Sequence, residues 1–350
     1  MAYSTVSKST NFFNTVRYAG TGSELAVTGV SFAPNFSWLK NASATGNHQL
    51  YDTLRGAGEV IYSNATTLET TVTQQLTSFD ADGYTIGTDG SLNTNGQTFA
   101  SWNFKAGTTT GVSGGTITPT GYSINTTSKF GIYTWAGTST AGTIAHGLGG
   151  TPTMIIVKNL SSGAGWQVFH QALGPTKVMY LNSNSNFDTS SSPWNNTAPT
   201  DTTFALNNDT STNATGSNYV AYVWCDVPGY QLAASYLGNG QAIGSYIACG
   251  FKPTFVLTKR YGTTEDWTIQ TSVAGDAIAN SNAEYNPTYN FYLANNDAIP
   301  GAGGNPIDFY STGFKLRTSS SYTNADNGTY LYLAIGQPIV GSTNVITTAR

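Results

Sequence analysis

Three histidines, His48, His146 and His170, and 18 carboxylates are the residues of this 350-residue chain that could do acid–base or nucleophilic chemistry. A hydrolytic triad needs a nucleophile, an imidazole and an oriented carboxylate. No Gly-x-Ser-x-Gly elbow is present, and His146, in Ala-His-Gly-Leu-Gly-Gly150, reads as a turn residue. Glycoside cleavage needs two carboxylates flanking a sugar, yet Glu59, Glu69, Glu265 and Glu284 stand in unrelated contexts. Asp80-Ala-Asp82-Gly83 and Asp89-Gly90 lack the alternating oxygen ligands and closing Glu of a calcium loop, and read as turns. No Cys/His spacing suits zinc, and Gly20-Thr-Gly22 opens a strand segment, not a phosphate-binding helix. The expectation is therefore no catalytic, metal or cofactor site. Contacts to a receptor or partner are expected from the Tyr-rich stretch 283–292, through Tyr285, Tyr289 and Tyr292, whose rings could stack on a sugar.

The segments that would position these residues recur three times. Pro34-Asn-Phe-Ser-Trp-Leu-Lys40, Pro152-Thr-Met-Ile-Ile-Val-Lys158 and Pro253-Thr-Phe-Val-Leu-Thr-Lys259 each set Pro and Lys around an apolar strand. His48, Trp166 and Trp267 follow at one common spacing, and Asp52, His170 and Thr271 at another. An aromatic-x-Gly opens each copy (Tyr18 to Gly20, Trp135 to Gly137, Tyr236 to Gly238), and a glycine leads into a closing aromatic strand after Gly96, Gly216 and Gly328. Landmarks in register, three times over, indicate a triplicated module. A catalytic role would not drift among Asp, His and Thr, so these positions read as packing. Trp38, Trp102, Trp135, Trp166, Trp224 and Trp267 sit at the landmarks and read as core.

Short runs of Val, Ile, Thr, Tyr, Phe and Trp, punctuated by Asp-Gly and Asn-Gly, place the chain in the all-β class: three tandem, related antiparallel β-sandwich-like modules. The expected division is an N-terminal arm (1–10), modules at 11–107, 129–228 and 229–342, a Gly/Thr-rich linker (108–128) and a C-terminal tail (343–350). The third module is longest, and its excess is expected as a loop insertion near 295–305, the first place to look for specialised contacts. Helical periodicity is confined to candidates at 67–76 and 270–279.

Only 9% of residues are charged, and the net charge of −4 is spread without runs. Phosphate-backbone binding needs clustered Lys and Arg, so no nucleic acid is expected. No apolar run reaches the roughly 18–20 residues of a membrane span, and no signal peptide is read at the start. Cys225 and Cys249 read as small buried thiols, with a bridge between modules two and three as the alternative.

Phe32-Ala-Pro-Asn-Phe-Ser-Trp-Leu-Lys40, His48-Gln-Leu-Tyr-Asp52-Thr-Leu-Arg55-Gly56, Phe79-Asp-Ala-Asp82-Gly83-Tyr84 and Gly96-Gln-Thr-Phe-Ala-Ser-Trp102 together resemble a repeated β-module of unassigned function. That module is found in virion proteins of marine tailed bacteriophages, cyanophages in particular. The later copies depart from it: Thr200-Asp-Thr-Thr-Phe204 lacks the Asp-Gly pair, and Thr312 stands where Asp stood. The resemblance implies a non-enzymatic virion protein, in a tail fibre or appendage serving assembly or host attachment. Capsid decoration and a carbohydrate- or receptor-binding module are the alternatives. Its partners would be other virion proteins of tail, collar or capsid, further copies of itself on the particle, and a host-surface glycan or receptor. It would be assembled in the host cytoplasm.

Overall fold

A computed structural model describes residues 4–272, 286, 288, 290–302 and 306–341. The chain is all-β, and every strand pairing within its sheets is antiparallel. Each module is a large sheet backed by a small one. In the first, the large sheet runs Phe13–Ala19, Thr98–Phe104, Phe36–Asn41, Gln49–Asp52, Glu59–Tyr62, Thr70–Thr71. Its backing sheet is Leu25–Thr28, Gly83–Ile86, Leu76–Asp80. The third module repeats this order, centred on Thr329–Pro338 beside Phe251–Tyr261. The second repeats the large sheet around Asn218–Cys225 beside Pro152–Asn159 with one added edge strand, and backs it with only Gly142–Ala145 and Thr203–Leu206.

The two faces of each large sheet serve two cores, because side chains alternate along a strand. One face packs on its own backing sheet, giving each module a private cluster: Val16, Tyr51 and Phe99 in the first, Trp135, Ile155 and Tyr219 in the second, Phe251, Val256 and Tyr330 in the third. The other faces of all three sheets meet in a single shared cluster. Trp38, Ile156 and Leu257 hold one register position there, opposite Trp102, Tyr222 and Leu333. Rings cross between modules: Phe36 stacks on Tyr222 at 4.2 Å, Phe13 meets Phe255 at 5.4 Å, and Trp102 meets Tyr292 edge-on at 5.0 Å. The three modules thus close around a common core. The N-terminal arm seals one end, with Val6 buried in that core and Gln337 accepting from the Ser9 amide and hydroxyl.

The repeat landmarks have local causes. Pro152 and Pro253 sit at register shifts, where a residue without an amide proton costs no ladder bond. Gly20, Gly137 and Gly238 lie under a backbone carbonyl, and a Cβ there would come within 2.2, 2.1 and 2.4 Å of Thr94 O, Ala214 O and Ala325 O. The opening aromatic stacks on the closing one in every copy: Tyr18 on Phe99, Trp135 on Tyr219, Tyr236 on Tyr330.

Three expectations are corrected. The segment 108–128 is no spacer: Gly121–Asn125 adds an edge strand to the second module, Ile124 enters that module's core, and Ser123 accepts from the Gly107 amide. The helix candidate at 67–76 does not form, and most of the one at 270–279 lies outside the described residues. Thr70–Thr71 and Leu76 are in strands, and Gln270 and Thr271 end the strand Trp267–Thr271. The only helical turns described are Ser9–Asn11 and Gly90–Asn93, the latter capped by Asp89. The excess length of module three is not at 295–305. Leu293 through Ala302 matches Tyr62 through Thr71, and the extra residues fall between Thr271 and Asn290, where most lie outside the described residues. Cys225 and Cys249 are both buried and free, as the reading of them as small buried thiols expects, and no bridge joins the modules.

Candidate functional site

The polar landmarks of the repeat come together at the three seams between modules. Each seam repeats one joint. Lys158 donates to its own module's Asn159 O (2.6 Å) and Ala164 O (3.1 Å) and across the seam to Thr66 O at 3.3 Å. Lys259 bonds Glu265 O in its own module and Asn184 O of module two at 2.9 Å. Lys40 bonds Asn41 O at 2.9 Å and Asp297 O of module three at 3.3 Å. Thr66, Asn184 and Asp297 are equivalent positions, each four residues past a matched strand end at Tyr62, Tyr180 and Leu293. The pattern runs two onto one, three onto two, one onto three. A head-to-tail contact that returns to its start after three steps closes a ring.

The landmark after two of the lysines does the same work. The indole nitrogens of Trp166 and Trp267 donate across their seams to Tyr62 O and Tyr180 O, both at 2.9 Å. His48 takes the third place. Its Nδ1 accepts from Trp38 Nε1 at 2.9 Å, which assigns the neutral Nε2–H tautomer facing the Leu293 carbonyl. Burial and the charge of Lys40 hold His48 well below the usual histidine range.

The lysines are fully buried, and burial brings each down to about 8. An amine of that pKa could act as a base or nucleophile at an open site. Here each points into backbone carbonyls, so it acts as a joint. His170 is buried, and its Nε2 lies 3.2 Å from Tyr332 O across the second seam. Asp52, its equivalent in module one, accepts from Arg55 Nε at 2.5 Å and from the Tyr222 hydroxyl of module two at 2.8 Å. Arg55 also holds Glu69 at 3.0 Å and donates to the carbonyls of Leu50 and Glu59. Burial lowers His146 as well, and that ring sits between the Leu148 amide and Thr200 O.

The acidic turns are likewise occupied. Asp82 accepts from the amides of Gly29 and Ser31, Asp80 from the hydroxyls of Ser78 and Thr85, and Asp89 from the Ser91 amide. Among the described residues no three His, Cys, Asp or Glu side chains group as a metal site.

Of the expected contact residues, Tyr292 is 1% exposed and belongs to the shared core, in register with Ile61 and Met179. It cannot meet a receptor. Tyr285 and Tyr289 lie outside the described residues. Three asparagines escaped the sequence reading: Asn93, Asn213 and Asn324, each fully buried. Each accepts the amide of the residue after the opening glycine (Thr21, Thr138, Asn239) and donates back to carbonyls of that loop (Ser23, Thr140, Gln241). Their signal was an Asn three or four places before the closing glycine.

No curated protein and no solved structure matches the chain. Residues 8–338, all three modules in a single match, fit the model of the family described as "Domain of unknown function (DUF7483)", and the chain belongs to that family.

Proposed function

We propose that this protein is a non-enzymatic structural component of a tailed-bacteriophage virion, tail-associated as part of a fibre or appendage, where it serves assembly or host attachment. The observation that carries the reading is the use made of the repeat's reactive groups. Lys40, Lys158, Lys259, His170 and Asp52 are all spent on joining one module to the next. A part exposed on a particle must persist without cellular repair, and a ring sharing one core slows unfolding as a unit. The resemblance of module one to phage virion repeats points the same way. So does a surface whose low charge, 9% of residues, limits repulsion between neighbouring copies. Immunogold labelling of purified particles, with copy number from quantitative mass spectrometry, tests the proposal. Label at the tail and a few tens of copies or fewer are expected. Hundreds of copies over the head would make it a capsid decoration protein, and unlabelled particles would overturn the virion assignment altogether.

A further inference from the structure

The outer face of the third module's backing sheet differs in kind from its counterpart in the first. In module three, Tyr246–Ala248 pairs with Gly313–Leu316, which pairs with Ile307–Tyr310. Ile247, Phe314, Phe309, Ile307 and Leu316 turn inward to the core. The alternate positions turn outward: Tyr246 opposite Lys315, which is opposite Asp308, and Tyr310 opposite Gly313. Tyr246 and Tyr310 are 44% and 43% exposed, among the few large apolar side chains left in solvent. Their rings meet at 83° with centroids 5.9 Å apart, forming a corner with two aromatic walls. Thr312 is exposed beside it and hydrogen-bonds the Tyr246 hydroxyl. Arg317 pairs with Asp308 at 3.2 Å along the same face.

The fold does not require this corner. In module one the register places Ala26 where Tyr246 stands and Asp80 where Tyr310 stands. In module two, Thr143 takes the first place. Gly313 needs no ring over it either. It is excluded from carrying a Cβ by Ile247 O at 2.1 Å, as Gly83 of module one is by Val27 O at 1.9 Å. Two exposed tyrosines where equivalent copies fold with Ala and Asp are therefore available for contact.

We propose that Tyr246 and Tyr310 form a saccharide-binding corner, with a neutral sugar ring against an aromatic wall. A pyranose presents an apolar C–H face to one ring and equatorial hydroxyls around its rim. The corner answers with two aromatic walls and with the Tyr and Thr312 hydroxyls and Lys315 as hydrogen-bonding groups. Asp308 and Arg317 neutralise one another, so the face holds no cluster of one sign to select a polyanion. The inference rests on the host-attachment part of the proposed function and gives it a location and a ligand class.

The test is affinity electrophoresis of the whole chain in gels cast with dextran, laminarin, mannan or agarose-derived galactan. The protein is compared with Tyr246→Ala and Tyr310→Asp, which install the residues of module one. Retardation by at least one polysaccharide, weakened tenfold or more in both variants while their melting temperatures stay within 2 °C, is the expected result. Retardation by none of the four, or undiminished retardation in the variants, overturns the saccharide assignment, whether or not particles label with the antibody. Unlabelled particles would sink the virion reading while leaving this result standing.

Discussion

Replacing Arg55 with leucine tests how dry the seam between modules one and two is. Arg55 and Asp52 have side chains 2% and 0% exposed and meet at 2.5 Å. At about 4 Å between charge centres and an effective dielectric near 20, such a pair interacts by about 4 kcal/mol. Leucine suits the space, since module two places Leu173, a member of the shared core, at the equivalent position. Truncation therefore exposes the electrostatic cost with little penalty in packing. The stranded Asp52 keeps three donors: the Tyr222 hydroxyl (2.8 Å) and the amides of Leu54 and Arg55 (3.0 Å each). These place the loss toward the lower end of the range for breaking a buried pair, about 3 kcal/mol. Replacing Asp52 as well, with the threonine that module three carries at Thr271, removes the stranded charge, and the double variant should recover about 2 kcal/mol. Urea denaturation at pH 7, followed by tryptophan fluorescence, reads all four corners of the cycle. A single variant within 1 kcal/mol of the parent, or strictly additive losses, would refute a desolvated pair at this seam.

Three further outcomes are expected. Burial lowers His170 to about 4, below the roughly 6.5 of an unfolded histidine, so the unfolded chain takes up the proton first as pH falls. Its neutral form is fully native-compatible above pH 6.5. About 3 kcal/mol should be lost between pH 6.5 and 4, and His170→Thr should remove that part of the slope in denaturation curves taken across this range. Gly137→Ala drives a Cβ to 2.1 Å from Ala214 O and should cost about 1–3 kcal/mol, seen as a lower urea midpoint; an unchanged midpoint would mean the loop yields freely. Burial pushes the thiols of Cys225 and Cys249 up to about 12, so neither should react with a thiol reagent in the native protein and both should in denaturant.

Much of the fold was legible because the repeat reports itself. Pro, Lys, Trp and the aromatic-x-Gly fall at matching places, and for Pro and the aromatic-x-Gly the cause is steric and lies within one module. What the lysines do was not legible. Their cross-seam partners are backbone carbonyls of Thr66, Asn184 and Asp297, 75 to 257 residues away, and a carbonyl carries no residue identity. Tyr292 looked like a loop residue because its neighbours are Tyr, Asn and Pro. Only the pairing of Asn290–Leu293 with Trp267–Thr271 turns it inward. Residues 295–305 read as an insertion because Asn, Gly and Pro crowd there, yet the first two copies make the same connection with Ser, Thr and Asn. The strand Gly121–Asn125 hid in a Gly/Thr-rich stretch, with only Tyr122 and Ile124 alternating to mark it.

Differential scanning calorimetry tests the closed ring most directly. Three modules sharing one core and three cyclic seams should unfold together, in one transition with calorimetric and van't Hoff enthalpies nearly equal. Resolved transitions, or a calorimetric enthalpy close to three times the van't Hoff value, would mean that the modules are independent beads and would contradict the ring.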